Sequence, residues 1–320
     1  MDLLLSHGYF LQEDSHEQAV MKPYPPLGLL YISSYLKSRG FQVQVFDSTF
    51  SSREHFRRFV QENHPPVVGL YCNMMTRSSV LDLIAVCKQT GSRVVLGGPE
   101  PANYAVDYIA RGADVIVIGE GEEVLEELLP ALGRPGPALR NIPGIVFRNE
   151  NGEIVQTPPS SHIRELDSLP FPDREAIDLE QYLSVWRDRH GHGAVSLITS
   201  RGCPYTCTWC SHSVFGYTYR SRSPQSVADE VELILGQYGP DMLWDADDVF
   251  TLNHRWLREY AAELRKRQIS VPFEAISRED RLNVQIIDLL AEMACFRLWI
   301  GAESGSQRVL DAMQRKTNAR

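Results

Sequence analysis

Cys203-Pro204-Tyr205-Thr206-Cys207-Thr208-Trp209-Cys210 sets three thiols in the spacing C-x-x-x-C-x-x-C. It follows an apolar run, Ala194 to Thr199, that reads as a strand. Three thiolates on one short loop can hold three irons of a cubic 4Fe-4S cluster. Clusters that only carry electrons use four cysteines. Three leave one iron open, so the loop points to chemistry on a molecule bound there. The rival reading is structural zinc. Zinc takes four ligands, usually in paired C-x-x-C spacing, and the nearest extra candidate, His212, lies just past Cys210. The cluster is the stronger reading.

The elements that carry this loop must come from a chain of 320 residues, enough for two domains at roughly 150 residues each. Hydrophobic residues make up 43% and charged residues 23%, which supports a packed core and excludes a disordered chain. Net charge is −9, from 32 basic and 41 acidic residues. A general nucleic-acid binder needs a basic footprint, so no nucleic acid is expected. No apolar run approaches the roughly 20 residues of a membrane span, and the N-terminus lacks the basic start of a signal peptide. The other cysteines, Cys72, Cys87 and Cys295, sit in apolar sequence and read as reduced core residues. A cytoplasmic location is expected, where thiolates stay available to iron.

Residues 1 to about 132 alternate apolar runs with helical spacing. Strands are expected at Leu3–Leu5, 41–46, 67–71, 93–96 and 115–118, with helices after the first, second, third and fifth. Five such strands indicate a doubly wound parallel sheet, whose ligand sits beyond the carboxyl ends of the strands. The loops there are long and polar after the first strand, carry Asn73, Met74, Met75 and Thr76 after the third, and are glycine-rich after the fourth (Gly97-Gly98-Pro99) and fifth (Gly119-Glu120-Gly121). Glycines let a ligand approach the backbone; tight turns alone are the rival explanation, an even match at any one glycine and the weaker one for the two loops together. Neither a G-x-G-x-x-G nor a G-x-x-x-x-G-K-[ST] is present in the place a nucleotide would need it. Spacing alone leaves this sheet's ligand undetermined.

Gly133-Arg134-Pro135-Gly136-Pro137 is a breaker cluster. A hairpin is expected around Asn149-Glu150-Asn151-Gly152, and Leu169-Pro170-Phe171-Pro172-Asp173 reads as a stiff linker. The expected division is therefore 1–140, a hairpin and linker over 141–190, and a second domain over 191–320. From Ala194 four strand–helix units follow. Strand ends of a parallel barrel gather on one face, which would bring the three cysteines together with Asp247, Asp248, Ser277, Arg278, Glu303 and Ser304. Arg220 and Arg222 read as solvated surface arginines, a carboxylate partner being the alternative.

The second half resembles the radical S-adenosylmethionine superfamily. The resemblance rests on Cys203, Cys207 and Cys210 after the first strand, Trp209 before the third cysteine, and the Gly301-Ala302-Glu303-Ser304-Gly305-Ser306 strand end. The first half resembles the cobalamin-binding domain that precedes this core in one branch. That likeness rests on Pro23-Tyr24-Pro25-Pro26-Leu27-Gly28, Gly97-Gly98-Pro99 and Gly119-Glu120-Gly121-Glu122. The implied fold is α/β: a flavodoxin-like cobalamin-binding domain, then a partial, truncated TIM-like radical barrel, since the family core usually has six units. Two departures stand out: that short barrel, and the absence of a D-x-H-x-x-G motif, which His7 and His16 do not fit.

The resemblance implies three cofactors: a 4Fe-4S cluster, S-adenosylmethionine and cobalamin. It implies cluster ligands Cys203, Cys207 and Cys210. For S-adenosylmethionine it suggests Trp209, Asp247, Asp248, Ser277, Arg278, Glu303 and Ser304. For cobalamin it suggests Asn73, Met74, Thr76, Gly97, Gly98, Gly119 and Gly121. It implies an enzyme that makes a 5′-deoxyadenosyl radical and methylates an unactivated carbon. Cyclisation or rearrangement is the alternative, and a cobalamin sensor or carrier module without catalysis a further one. The expected partners are a small-molecule or lipid-like substrate and an external electron donor such as flavodoxin or ferredoxin.

Overall fold

Strand β1 (Leu3–His7) is buried along its whole length, as a strand inside a parallel sheet covered on both faces must be. The computed structural model describes residues 1–132, 137–212 and 214–319; the breaker glycines and proline at 133–136 lie outside the described residues. The chain divides into two compact units. One is Met1–Ile163 with Leu169–Asp178, the other Arg164–Ser168 with Leu179–Arg320.

In the first unit β1 is followed by helices α1 (Ser15–Val20) and α2 (Leu27–Ser38), β2 (Val43–Phe46) and α3 (Arg53–Asn63). Then come β3 (Val67–Tyr71), α4 (Arg77–Gln89), β4 (Arg93–Gly97), α5 (Ala105–Ala110), β5 (Val115–Val117) and α6 (Glu122–Leu132). The unit ends with β6 (Ile145–Arg148) and β7 (Ile154–Gln156). Strand order is β2-β1-β3-β4-β5-β6-β7. The first five strands are parallel and follow the flavodoxin-like order, with a switch point between β1 and β3. Each face of the sheet has its own apolar core: Leu4, Val68, Val94 and Ile116 pack on one side, Leu3, Leu5, Val95 and Val115 on the other.

The Asn-Gly hairpin forms, and it extends this sheet: β6 runs antiparallel to β5, pairing Val115 with Phe147, and β7 runs antiparallel to β6. Two helices were not anticipated, α1 and α5, both short and weakly periodic. A third unanticipated helix, α7 (Leu179–His190), lies beyond the proline-rich stretch. Its buried Leu179, Tyr182, Leu183 and Trp186 have helical spacing, a signal overshadowed by the prolines before it.

In the second unit β8 (Ala194–Leu197) leads to a short antiparallel pair, β9 (Ser200–Arg201) and β10 (Arg220–Ser221). Next come α8 (Pro224–Tyr238), β11 (Met242–Asp245), α9 (His254–Lys266), β12 (Phe273–Ser277), α10 (Val284–Glu292), β13 (Cys295–Ile300) and α11 (Gln307–Ala312). The sheet β13-β12-β11-β8 is parallel throughout. Ser223 caps α8 by accepting from Ser226 N–H at 3.1 Å, with Pro224 in the first turn. Asn253 caps α9 by accepting from Arg255 and Trp256 N–H.

Two expectations need correction here. Cys295 is half-buried on β13, an edge strand, whereas Cys72 and Cys87 are core residues. Arg222 is buried, not solvated. It pairs with the fully buried Glu230 on α8 and donates to Ile198 O at 3.1 Å and Ser226 O at 3.0 Å, joining the end of β8 to the helix. Removing one partner of such a pair strands a buried charge, at about 3–5 kcal/mol. Among the described residues no helix is long and apolar enough to cross a membrane.

Candidate functional site

The cysteine loop starts where β8 ends. Gly202 has φ +87, and a Cβ there would collide with Thr218 O. Only glycine lets the two ends of the loop approach so closely. The pairing of β9 with β10 closes the loop on itself.

Asp247, at the end of β11, anchors the same segment. Its carboxylate accepts from Thr199 N–H at 2.7 Å, Thr199 Oγ1 at 2.5 Å, Ser200 N–H at 2.9 Å and Ser200 Oγ at 2.6 Å. All three residues are buried. Four donors fill the ordinary accepting capacity of a carboxylate, so the structure places Asp247 under the loop's entry. Its neighbour Asp245 is also buried, accepts from Asp247 N–H at 3.1 Å, and has its carboxyl pushed well above the usual range, by burial first and then by Asp247. Asp248 is exposed and bears electrostatically on Cys203 and Cys210.

Cys207 is buried, Cys203 half-buried and Cys210 exposed, and none is in a disulfide. Burial pushes the Cys203 thiol up, opposed by a hydrogen bond from the Tyr205 backbone and reinforced by Asp248, Cys210 and Cys207. Burial and Cys207 likewise raise Cys210. The three sulfurs thus lie within electrostatic reach of one another, and metal binding there must displace protons. Among the described residues no three His, Cys, Asp or Glu side chains converge as the donor set of a single ion. Each iron of a cube takes a different sulfur, so three thiols on one loop fit the donor set of such a cluster. The His212 ring lies against Tyr217, with centroids 4.0 Å apart and the planes tilted by 31°.

The ends of β12 and β13 supply the remaining groups. Ser277 is buried, its hydroxyl bonded to that of Thr251 and to Arg278 O. Arg278 is buried, lies 3.7 Å over the Tyr205 ring, and reaches Cys207 Sγ at 3.6 Å through Nη1. Glu303 is exposed with φ +63, and Ser304 accepts from Ser306 N–H at 3.1 Å. Trp209 is 40% exposed. The structure therefore brings Arg278 and Glu303 to the loop that carries Trp209, and commits Asp247 and Ser277 to internal hydrogen bonds.

Sequence reasoning missed Arg315. It is buried, pairs with Glu279, donates to Gly301 O, approaches Glu303 at 4.0 Å and lies 5.8 Å from the Trp209 ring centroid. Thr208 N–H also donates to Met313 O at 3.1 Å. Residues a hundred positions downstream thus brace the cysteine loop, a link no local pattern announces.

In the first unit, Asn73 and Thr76 cap each other. Thr76 N–H donates to Asn73 Oδ1 at 3.0 Å, and Asn73 N–H to Thr76 Oγ1 at 3.1 Å. That turn leaves Met74 and Met75 exposed at the carboxyl end of β3. Gly98 has φ +105, and a Cβ there would meet Cys72 O at 2.5 Å, whereas a Cβ on Gly97 would meet nothing within 4 Å. Gly119 and Gly121 close the β5 end. His7 Nδ1 accepts from Tyr9 N–H at 3.2 Å and Nε2 lies 3.0 Å from Asp47 Oδ1. Both ring nitrogens are engaged, which accords with a missing cobalt-ligating histidine. An open strand end with apolar side chains and an unobstructed glycine fits a large flat ligand such as a corrin.

The fold and this geometry define a two-part protein with a glycine-looped sheet and a three-cysteine strand end. The B12 binding domain family matches residues 19–129, and the Radical SAM superfamily matches residues 197–320. The chain thus carries a B12-binding family domain followed by a Radical SAM family domain. It is 28% identical over 298 residues to an uncharacterized methyltransferase of Pyrococcus horikoshii, covering 90% of this chain and 62% of that protein. It is 26% identical over 309 residues to the anaerobic magnesium-protoporphyrin IX monomethyl ester cyclase of Rubrivivax gelatinosus, covering 92% and 54%. The solved structure of OxsB, a cobalamin-dependent S-adenosylmethionine radical enzyme with aqua-cobalamin and S-adenosylmethionine bound, superposes with TM-score 0.80 at 22% identity, covering 99% of this chain and 46% of that one. The chain thus spans 62% and 54% of the lengths of the two curated relatives.

Proposed function

We propose that this chain is the cofactor-carrying part of a cobalamin-dependent radical S-adenosylmethionine methyltransferase acting on an unactivated carbon. The observation that carries the reading is the three-cysteine loop at the carboxyl end of β8, anchored by Asp247 and touched by Arg278, in a chain that also holds a flavodoxin-ordered sheet. Cys203, Cys207 and Cys210 would hold three irons of a 4Fe-4S cluster. When bound, the cluster, S-adenosylmethionine and cobalamin supply a carbon-centred radical and a methyl donor.

The chain's own residues bind and orient. Trp209 in the cysteine loop and Asp248, Arg278, Glu303 and Ser304 are the candidate contacts to S-adenosylmethionine; Asp247 and Ser277 act through the backbone they hold. Asn73, Met74, Thr76, Gly97, Gly98, Gly119 and Gly121 form the candidate cobalamin face. We place that domain at 1–140, the hairpin and linker at 141–190, with the hairpin continuing the domain's sheet, and the radical core at 191–320. The substrate would be a small or lipid-like molecule, the electron donor a flavodoxin or ferredoxin, and the setting the cytoplasm. Six free cysteines support that setting.

A cyclase is the second reading, favoured by the likeness to the protoporphyrin ester cyclase. Methyl-deuterated S-adenosylmethionine separates the two. Reconstituted full-length protein, given cobalamin, a reductant and candidate metabolites, transfers the labelled methyl if the first reading holds. Substrate consumed without label would establish the second.

A further inference from the structure

Arg278 is one of the largest fully buried side chains of the protein, and its geometry is fixed on every side. Nε and Nη2 donate to the Asp280 carboxylate at 2.8 and 3.1 Å. Nη2 also donates to Arg315 O at 2.8 Å. The guanidinium plane lies 3.7 Å over Tyr205, whose hydroxyl is held by Arg281. The contact left for Nη1 is Cys207 Sγ, at 3.6 Å. Cys207 is the most buried of the three loop cysteines, at 4% exposure. A surface arginine beside a metal site would be screened and mobile; this one is neither.

The geometry points to Arg278 as a residue that sets the cluster's reduction potential through Cys207, and not chiefly as a contact to S-adenosylmethionine. The inference rests on the reading that Cys203, Cys207 and Cys210 hold a cluster. A hydrogen bond to a ligating sulfur, and a buried positive charge beside it, favour the state with one more electron. Asp280 neutralises part of that charge but leaves the N–H aimed at sulfur. The donor's position depends on Tyr205, inside the loop itself, so loop placement and donor placement are coupled.

The test is an EPR-monitored redox titration of the reconstituted cluster, without S-adenosylmethionine, in wild-type protein, Arg278→Lys and Arg278→Gln. The expected result is a potential shifted negative in Arg278→Gln. The shift should be at least a tenfold weaker reduction equilibrium, about 59 mV for a one-electron couple, with Arg278→Lys between the two. Variants that load four irons yet titrate with the wild type overturn the inference. Wild-type protein that assembles no cluster overturns the reading beneath it instead. Should neither variant load iron, wild-type protein labelled with guanidino-15N arginine decides the matter. A 15N hyperfine coupling to the reduced cluster supports the contact, and its absence overturns it.

Discussion

Asp247 and Thr199 are joined twice: the Thr199 main-chain N–H donates to Oδ1 at 2.7 Å, and its hydroxyl donates to Oδ2 at 2.5 Å. Ser200 repeats the pattern, so one buried carboxylate fixes the two residues from which the cysteine loop departs. Asp247→Asn keeps the shape but turns an amide toward donors, leaving at least one N–H or O–H without an acceptor. We expect a loss of about 1–3 kcal/mol in stability, measured by urea unfolding, together with reduced iron content after reconstitution. Unchanged stability and full iron loading would show that the anchor is dispensable.

Cys207 is the buried member of the proposed ligand set. Cys207→Ala should abolish the broad absorption near ~400 nm expected of a reconstituted cluster and leave far-UV circular dichroism unaltered. Retention of four irons per chain would contradict its assignment as a ligand.

Asp245 gives a prediction in pH. Burial raises its carboxyl well above the usual value, so the folded state holds a proton that the unfolded state releases at an ordinary carboxyl pKa near ~3.9. Stability from this group is fully present below that unfolded value and is lost as pH rises toward the folded one. Asp245→Asn removes the titration and keeps an oxygen for Asp247 N–H. The variant should therefore match wild type near pH 3 and exceed it at neutral pH. A stability difference that does not change with pH would refute this account.

Gly97 and Gly98 should behave oppositely. A Cβ at Gly97 meets nothing within 4 Å, so Gly97→Val should fold, with melting close to wild type. It should nonetheless lose cobalamin retention on gel filtration, because the new side chain fills the space beyond β4. Gly98→Ala meets Cys72 O at 2.5 Å at φ +105, and should cost on the order of 1–3 kcal/mol by backbone strain. Full cobalamin retention by a folded Gly97→Val would move the binding face elsewhere.

Much of this architecture was legible locally. Strand periodicity, helix caps at Ser223 and Asn253, and the cysteine spacing all arise from neighbours within a few residues, where backbone geometry and side-chain pattern are directly coupled. The flavodoxin-like sheet follows from five alternating units. Helix α7 was legible too, in the spacing of Leu179, Tyr182, Leu183 and Trp186, but the preceding prolines argued for an extended chain.

Tertiary structure decided what depends on pairing across long separations. It turned the hairpin into two added antiparallel strands, because β5 needed a partner on its free edge. It buried Arg222 against Glu230, where sequence offered only a charged residue near a loop. It assigned Asp247 to the loop's foundation and brought Arg278 and Arg315 to the cysteines across 71 and 106 positions, counting from Cys207 to Arg278 and from Trp209 to Arg315. By itself the sequence determined which ligands the loop offers, since cysteine identity and spacing set that chemistry. Only the folded chain decided which charges surround those sulfurs, because electrostatic environment depends on distance in space and not on position along the chain.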